Sequence, residues 1–146
     1  MKRLSIVFTS VAAAAVAACS TFPGHESHPL DGTVWQLTDV ETAGTSTRLN
    51  PPLPSRHTLT FLSDREVTMQ LDCNRGNATW SASQPDNGGG RLTISEVAAT
   101  RALCPDPSFG EQLARDLPAA SRYFLAGDGS WLTIRTENTT YRFTRE

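Results

Sequence analysis

Lysine is almost absent: Lys2 is the only one in 146 residues, so every other fixed positive charge is an arginine. The 13 Lys and Arg residues are scattered against 15 Asp and Glu. The chain shows no basic stripe and no interleaving of aromatics with arginine of the kind that grips single strands, so nucleic acid is excluded as the expected partner. Long hydrophobic runs are missing too. The longest, Leu4 to Ala18, falls about five residues short of the roughly 20 that a membrane-spanning helix needs. Cysteine is scarce, at three. Cys73 and Cys104 have no nearby histidine, and zinc wants four ligands, so no metal or cofactor is expected. Gly88-Gly89-Gly90 lacks the Lys-Ser or Lys-Thr and the helix start of a phosphate cradle and reads as a turn.

What is present begins with Cys19. It follows a basic head, Lys2-Arg3, an apolar stretch and the small residues Val16, Ala17 and Ala18. That order makes a secretory signal peptide. A cysteine directly after the small residues makes it a bacterial lipoprotein signal. Cleavage before Cys19 exposes a thiol and an amine for acylation, and each buried CH₂ of an acyl chain adds about 0.8 kcal/mol of membrane affinity. Residues 1–18 are therefore expected to be leader and 19–29 a lipidated tether. The protein is expected on the envelope, held by lipid on Cys19. Ser20, where an Asp tends to retain such proteins in the inner membrane, points to the periplasmic face of the outer membrane. Pro23, Gly24 and Pro29 give the tether no apolar periodicity, and His25 and His28 read as solvated linker residues.

Losing the leader removes two of the basic residues and none of the acidic ones, so the formal net charge moves from −2 to −4. The remainder is one domain's worth of chain. With Cys19 assigned to lipid, Cys73 and Cys104 remain in an oxidising compartment. One disulfide closing a loop of about 31 residues is the economical reading, with a loop-entropy stabilisation of roughly 3–4 kcal/mol. Two free thiols, a metal pair and a catalytic thiol stand as alternatives. For the last, Cys73, His57 and Asp72 can be written as nucleophile, base and orienting acid. Alternation opposes it: Cys73 shares a face with Val67, Met69 and Leu71, which places it toward the core, while Asp72 points the other way.

Period-2 alternation marks about eight short strands. They centre on Trp35/Leu37, Leu59/Phe61, Val67 to Cys73, Asn77 to Ser83, Leu92/Ile94, Tyr123 to Ala126, Leu132/Ile134 and Tyr141/Phe143. Ala43 to Ser55, with Pro51, Pro52 and Pro54, reads as a loop. One segment breaks the pattern. Ser108 is placed to cap a helix, with Glu111 completing a capping box and Phe109, Leu113 and Leu117 on one face. Tight turns between short strands predict antiparallel neighbours. The fold class expected is mainly β (α+β): a curved antiparallel sheet forming a partly open barrel, with one short helix over an opening or edge.

The stretch 30–146 resembles the META domain family, whose best-known bacterial member is the heat-shock protein HslJ. Gly32-Thr33-Val34-Trp35-Gln36-Leu37 is similar to the family's leading Gly-Thr-x-Trp-x-Leu strand. Cys73-Asn74-Arg75-Gly76 looks like its Gly-Cys-Asn segment, with Asp72 in place of the usual Gly. Thr100 to Cys104 is similar to its Thr-x-x-x-Cys segment. The resemblance implies a curved, partly open β-barrel with a short helix, often on an envelope lipoprotein, and loose links to stress or drug tolerance. It carries no catalytic residue to this chain. It implies structural roles for the motif: a disulfide for Cys73 and Cys104, a turn of unusual backbone angles for Asn74 and Gly76, a core position for Trp35.

Function is thus expected to be non-enzymatic. One possibility is an envelope-anchored binding or accessory module taking an unknown protein or a small apolar ligand. The alternatives are a purely structural or protective envelope protein, or an inhibitor that inserts Pro51-Pro52-Leu53-Pro54 into an envelope enzyme. A large interior cavity would favour the ligand. A filled interior would favour the protective role.

Overall fold

A computed structural model describes residues 27–146. The expected leader, the lipid site Cys19 and His25 lie outside the described residues. The chain runs through β1 (Thr33–Thr42), β2 (Thr45–Arg48), β3 (His57–Phe61), β4 (Glu66–Leu71), β5 (Asn74–Ala82), β6 (Gly89–Ile94), β7 (Ala98–Ala99), α1 (Gly110–Asp116), β8 (Arg122–Leu125), β9 (Trp131–Arg135) and β10 (Thr139–Arg145). The strands expected from alternation are β1, β3, β4, β5, β6, β8, β9 and β10. They are the eight staves of one antiparallel barrel, ordered β10-β9-β8-β6-β5-β4-β3-β1.

The barrel is closed rather than partly open. β1 pairs along its length with β10, from Trp35 opposite Arg145 to Thr42 opposite Thr139, across one irregularity between Leu37 and Asp39. The expectation of an open edge fails because β1 is paired on both sides: β3 lies beside its first half and β10 beside nearly all of it. Closure of this kind removes the sheet edges. Two strands lie off the staves. β2 folds back on the end of β1 inside the segment expected to be loop, and β7 adds two residues to β5.

Inward residues follow the predicted alternation. Trp35 and Leu37 of β1, Leu59 and Phe61 of β3, Leu132 and Ile134 of β9, and Tyr141 and Phe143 of β10 are fully buried. An eight-stranded barrel has an interior that side chains can just fill. Here large ones fill it.

Both ends are covered. At one end, the start of β1 carries the segment His28 to Leu30. His28 is buried, in contrast to the solvated linker expected: its Nε2 lies 3.0 Å from both the Ser83 carbonyl and the Tyr123 hydroxyl, and its Nδ1 accepts the Leu30 N–H. At the other end α1 lies across the opening, with Leu113 and, just beyond it, Leu117 fully buried. α1 starts at Gly110, and neither Ser108 nor any other side chain caps it. The expected capping box is absent because the helix begins one residue late for it: Phe109 is the N-cap, which leaves Glu111 one position short of where the box needs it, and the Phe109 N–H donates to His57 Nε2.

Candidate functional site

The motif residues of the sequence gather in two places. Gly32, Thr33 and Trp35 build the entry to β1. Gly32 has φ of +68°, a turn conformation that glycine adopts without strain. Thr33 Oγ1 donates to the Leu30 carbonyl at 2.6 Å and accepts the Trp35 indole N–H at 2.7 Å. The indole can therefore be wholly buried with its one donor satisfied. This corner fixes the end cover against the first stave.

Asn74, Thr100 and the two cysteines build a knot at the opposite end. Cys73 and Cys104 are joined by a disulfide, Cα to Cα 5.5 Å. Asn74 Nδ2 donates to the Ala102 carbonyl at 2.9 Å, and Asn74 Oδ1 accepts the Ala102 N–H at 2.7 Å and the Thr100 hydroxyl at 2.9 Å. Thr100 Oγ1 in turn accepts the Arg75 N–H. The side chain of Asn74 thus pairs with the 100–104 segment much as a strand would, in a place where β7 has ended. Between the two clamped positions Leu103 is fully exposed. Beside the knot, Arg75, Gly76, Asn77, Ala98, Ala99 and Thr100 line a shallow open groove of about 390 Å³.

Two sequence readings reverse here. The strand ends at Leu71, not Cys73, because Asp72 sits at φ +64° and turns the chain. The side chains that follow therefore leave the alternation: Asp72 is buried and Cys73 is exposed. The unusual backbone angle belongs to Asp72, which stands where the family pattern has glycine, rather than to Asn74 or Gly76. Gly76 lies within β5, and its need is space, since a Cβ there would come within 2.9 Å of Leu71 Cδ1.

The three groups of the thiol-enzyme alternative lie near one another, yet each is engaged. Cys73 is in the disulfide. His57 donates Nδ1–H to the Leu53 carbonyl at 2.8 Å and accepts the Phe109 N–H on Nε2 at 3.1 Å. Burial pushes its pKa below the ordinary 6.5, against smaller upward pulls from the Leu53 bond and from Asp72. Asp72 forms an ion pair with Arg56. The Pro51 to Pro54 segment does not project as a stiff probe. Leu53 packs against the core, and Pro54–Arg56 form a tight helical turn leading into β3.

A second groove, about 310 Å³, lies at the β1-entry end between Pro29, Trp35, Pro85, Leu125, Gly127 and Arg145.

A family profile described as META domain matches residues 28–146. The chain belongs to the META domain family. Its folded unit takes in His28, two residues before the start expected from the sequence. The META domain barrel is similar to the NMR structure of a protein from Burkholderia xenovorans, at 23% identity and a TM-score of 0.61, covering 96% of this chain and 99% of that one. It is also similar to the crystal structure of a DUF4847 family protein from Bacteroides vulgatus, at 18% identity and a TM-score of 0.51, covering 79% and 93%. At these identities the likeness speaks for the fold alone. No curated protein matches the chain.

One feature of the META domain surface escaped the sequence. Arg91, Arg122 and Arg135 are far apart in the chain and stand side by side on the barrel, Arg91 opposite Arg122 and Arg122 opposite Arg135. Only strand register reveals such a row. Residue types along the chain carry no signal of it.

Proposed function

We propose that this META domain protein is a lipid-anchored module of a bacterial envelope that acts through its outer surface, without catalysis. The observation that carries the reading is the filled, twice-covered barrel. Trp35, Phe61, Tyr123, Tyr141 and Phe143 are all fully buried. Ligand pockets are concave and bury most of a small molecule, so a packed interior favours the protective or accessory role over a small apolar ligand held inside. The titratable groups nearest to a catalytic arrangement are engaged in holding the fold, which supports the non-enzymatic reading. The anchor reading rests on Cys19 and the leader before it. It puts the attachment point of the tether at the β1-entry end, with the disulfide knot and exposed Leu103 at the far end of the barrel.

The test is metabolic labelling with an alkyne fatty acid in the native host, followed by envelope fractionation. Label on the wild-type chain, lost in Cys19→Ala, with the protein in the outer-membrane fraction, is the expected result. An unlabelled wild-type chain would remove the anchor and the attachment point that follows from it.

A further inference from the structure

Arg91 of β6, Arg122 of β8 and Arg135 of β9 form a row across three adjacent staves, and all three side chains are exposed. Neighbouring strands lie about 4.8 Å apart, so the three positions fall within roughly 10 Å. Like charges directly opposite each other destabilise a sheet. No ion pair among the described residues offsets that cost: those present use Arg48, Arg56 and Arg115, and none uses the row. This concentration of positive charge sits on a chain whose net charge is negative.

The row is also ordered. The half-buried Phe124 ring lies under two of its members, with the Arg122 guanidinium 5.6 Å and the Arg135 guanidinium 5.3 Å from the ring centroid. Stacking of this kind keeps the planar fork in place and leaves its donors free for a planar or tetrahedral oxyanion. The outward alternation of β9 that carries Arg135 and Thr133 also carries Trp131, a large aromatic that is 40% exposed. Trp131 begins β9 at the same barrel end where β1 begins, because both strands are antiparallel to β10.

We propose that this face docks the barrel on an anionic lipid surface, with Arg91, Arg122 and Arg135 taking headgroup phosphates and Trp131 resting at headgroup level. Charge complementarity selects a polyanionic partner, and an exposed indole on the same outward face, about 13 Å along β9 from Arg135, selects a membrane interface, where Trp is enriched. The inference draws its membrane from the lipid-anchor reading above. Cys19 lies eight residues before Ser27, a reach of at most about 28 Å. That is enough for the barrel to lie on its side against the surface that holds it.

The test uses the protein as isolated from its host envelope, offered vesicles of phosphatidylcholine and vesicles of equal phosphatidylcholine and phosphatidylglycerol in the same tube. An acyl anchor contributes to both, so the partition ratio reports the face. The wild-type chain is expected to prefer the anionic vesicles, and Arg122→Gln/Arg135→Gln is expected to lower that preference about 25-fold, at about fivefold per arginine. Arg101→Gln/Arg115→Gln, with the same net charge, is expected to keep it. Thermal unfolding checks that the first variant is folded, and relief of the Arg–Arg repulsion predicts no loss of stability. Equal partition of the wild type, a preference that survives the first variant, or an equal loss in the second would each overturn the proposal. So would abolition of the preference by millimolar inorganic phosphate, which would assign the row to a free anion. Failure of the anchor alone reads differently: the neutral vesicles then stay bare while the anionic preference stands.

Discussion

His57 Nε2 accepts the backbone N–H of Phe109 at 3.1 Å, so a side chain at the start of β3 ties down the residue just before the helix that closes the barrel. The other ring nitrogen donates to the Leu53 carbonyl. With one nitrogen accepting and the other donating, these partners assign the neutral tautomer that carries its proton on Nδ1. A second proton would have to sit on Nε2, against the Phe109 N–H. The ring is fully buried, which disfavours the charged form further.

Stability is therefore expected to fall as the pH drops below about 6.5, the ordinary histidine value. The sign follows from linkage. The folded pKa is lowered, so between the two values the unfolded chain binds a proton that the native chain refuses, and acidification favours unfolding. Asp72 and Arg56 face the ring and act on it with opposite signs, Asp72 raising and Arg56 lowering its pKa. Denaturant melts at a series of pH values would show the decline in the wild type. His57→Phe is expected to be less stable near neutral pH by about 1–3 kcal/mol, since a buried donor and acceptor lose their partners. Its stability should change less over the same acid range. Equal acid sensitivity in the two proteins would assign the loss to other groups.

The staves were legible in the sequence because burial on one side of a strand writes itself as alternation. Trp35/Leu37, Leu59/Phe61 and Tyr141/Phe143 are inward pairs of that kind. Closure was not legible, since it depends on how β1 and β10 meet in register. The same holds for the row of Arg91, Arg122 and Arg135. Alternation misled at Asp72 and Cys73, where a single left-handed residue ends the period and exchanges inside for outside. His28 looked like linker because its burial comes from Ser83 and Tyr123, both distant in the chain.

Asn74 and the disulfide hold the same segment by different means, and their losses should not add. Asn74 makes three hydrogen bonds to Thr100 and Ala102, each worth about 0.5–1.5 kcal/mol net. The Cys73–Cys104 bond closes 31 residues and contributes about 3–4 kcal/mol by the loop-entropy estimate. While either tie remains, residues 100–104 stay near β5. Asn74→Ala is expected to cost more in the Cys73→Ser/Cys104→Ser background than in the disulfide-bonded chain, with a coupling of about 0.5–3 kcal/mol. The Ala102 amide should be protected from hydrogen exchange in the wild type and exposed in Asn74→Ala. Strict additivity together with an unprotected Ala102 amide would mean that the knot does not form in solution.

Gly110 sets two effects of opposite sign against each other. Replacing a helical glycine with alanine ordinarily stabilises a helix by up to about 1 kcal/mol. Here a Cβ would press on the carbonyl of Leu71, coming within 2.6 Å of its carbon and closer still to its oxygen. Those are backbone atoms at the end of a paired barrel strand, so no rotamer change can clear them. Overpacking against a part that cannot move costs typically 1–3 kcal/mol and occasionally more. The clash should win, and Gly110→Ala is expected to lower stability by about 2 kcal/mol by lifting α1 off the barrel end. Fluorescence-detected urea unfolding would read the sign directly. A stabilised Gly110→Ala would show that α1 rests farther from β4 than the barrel end requires. In that case Leu113 and Leu117 would have to close the opening by some other contact.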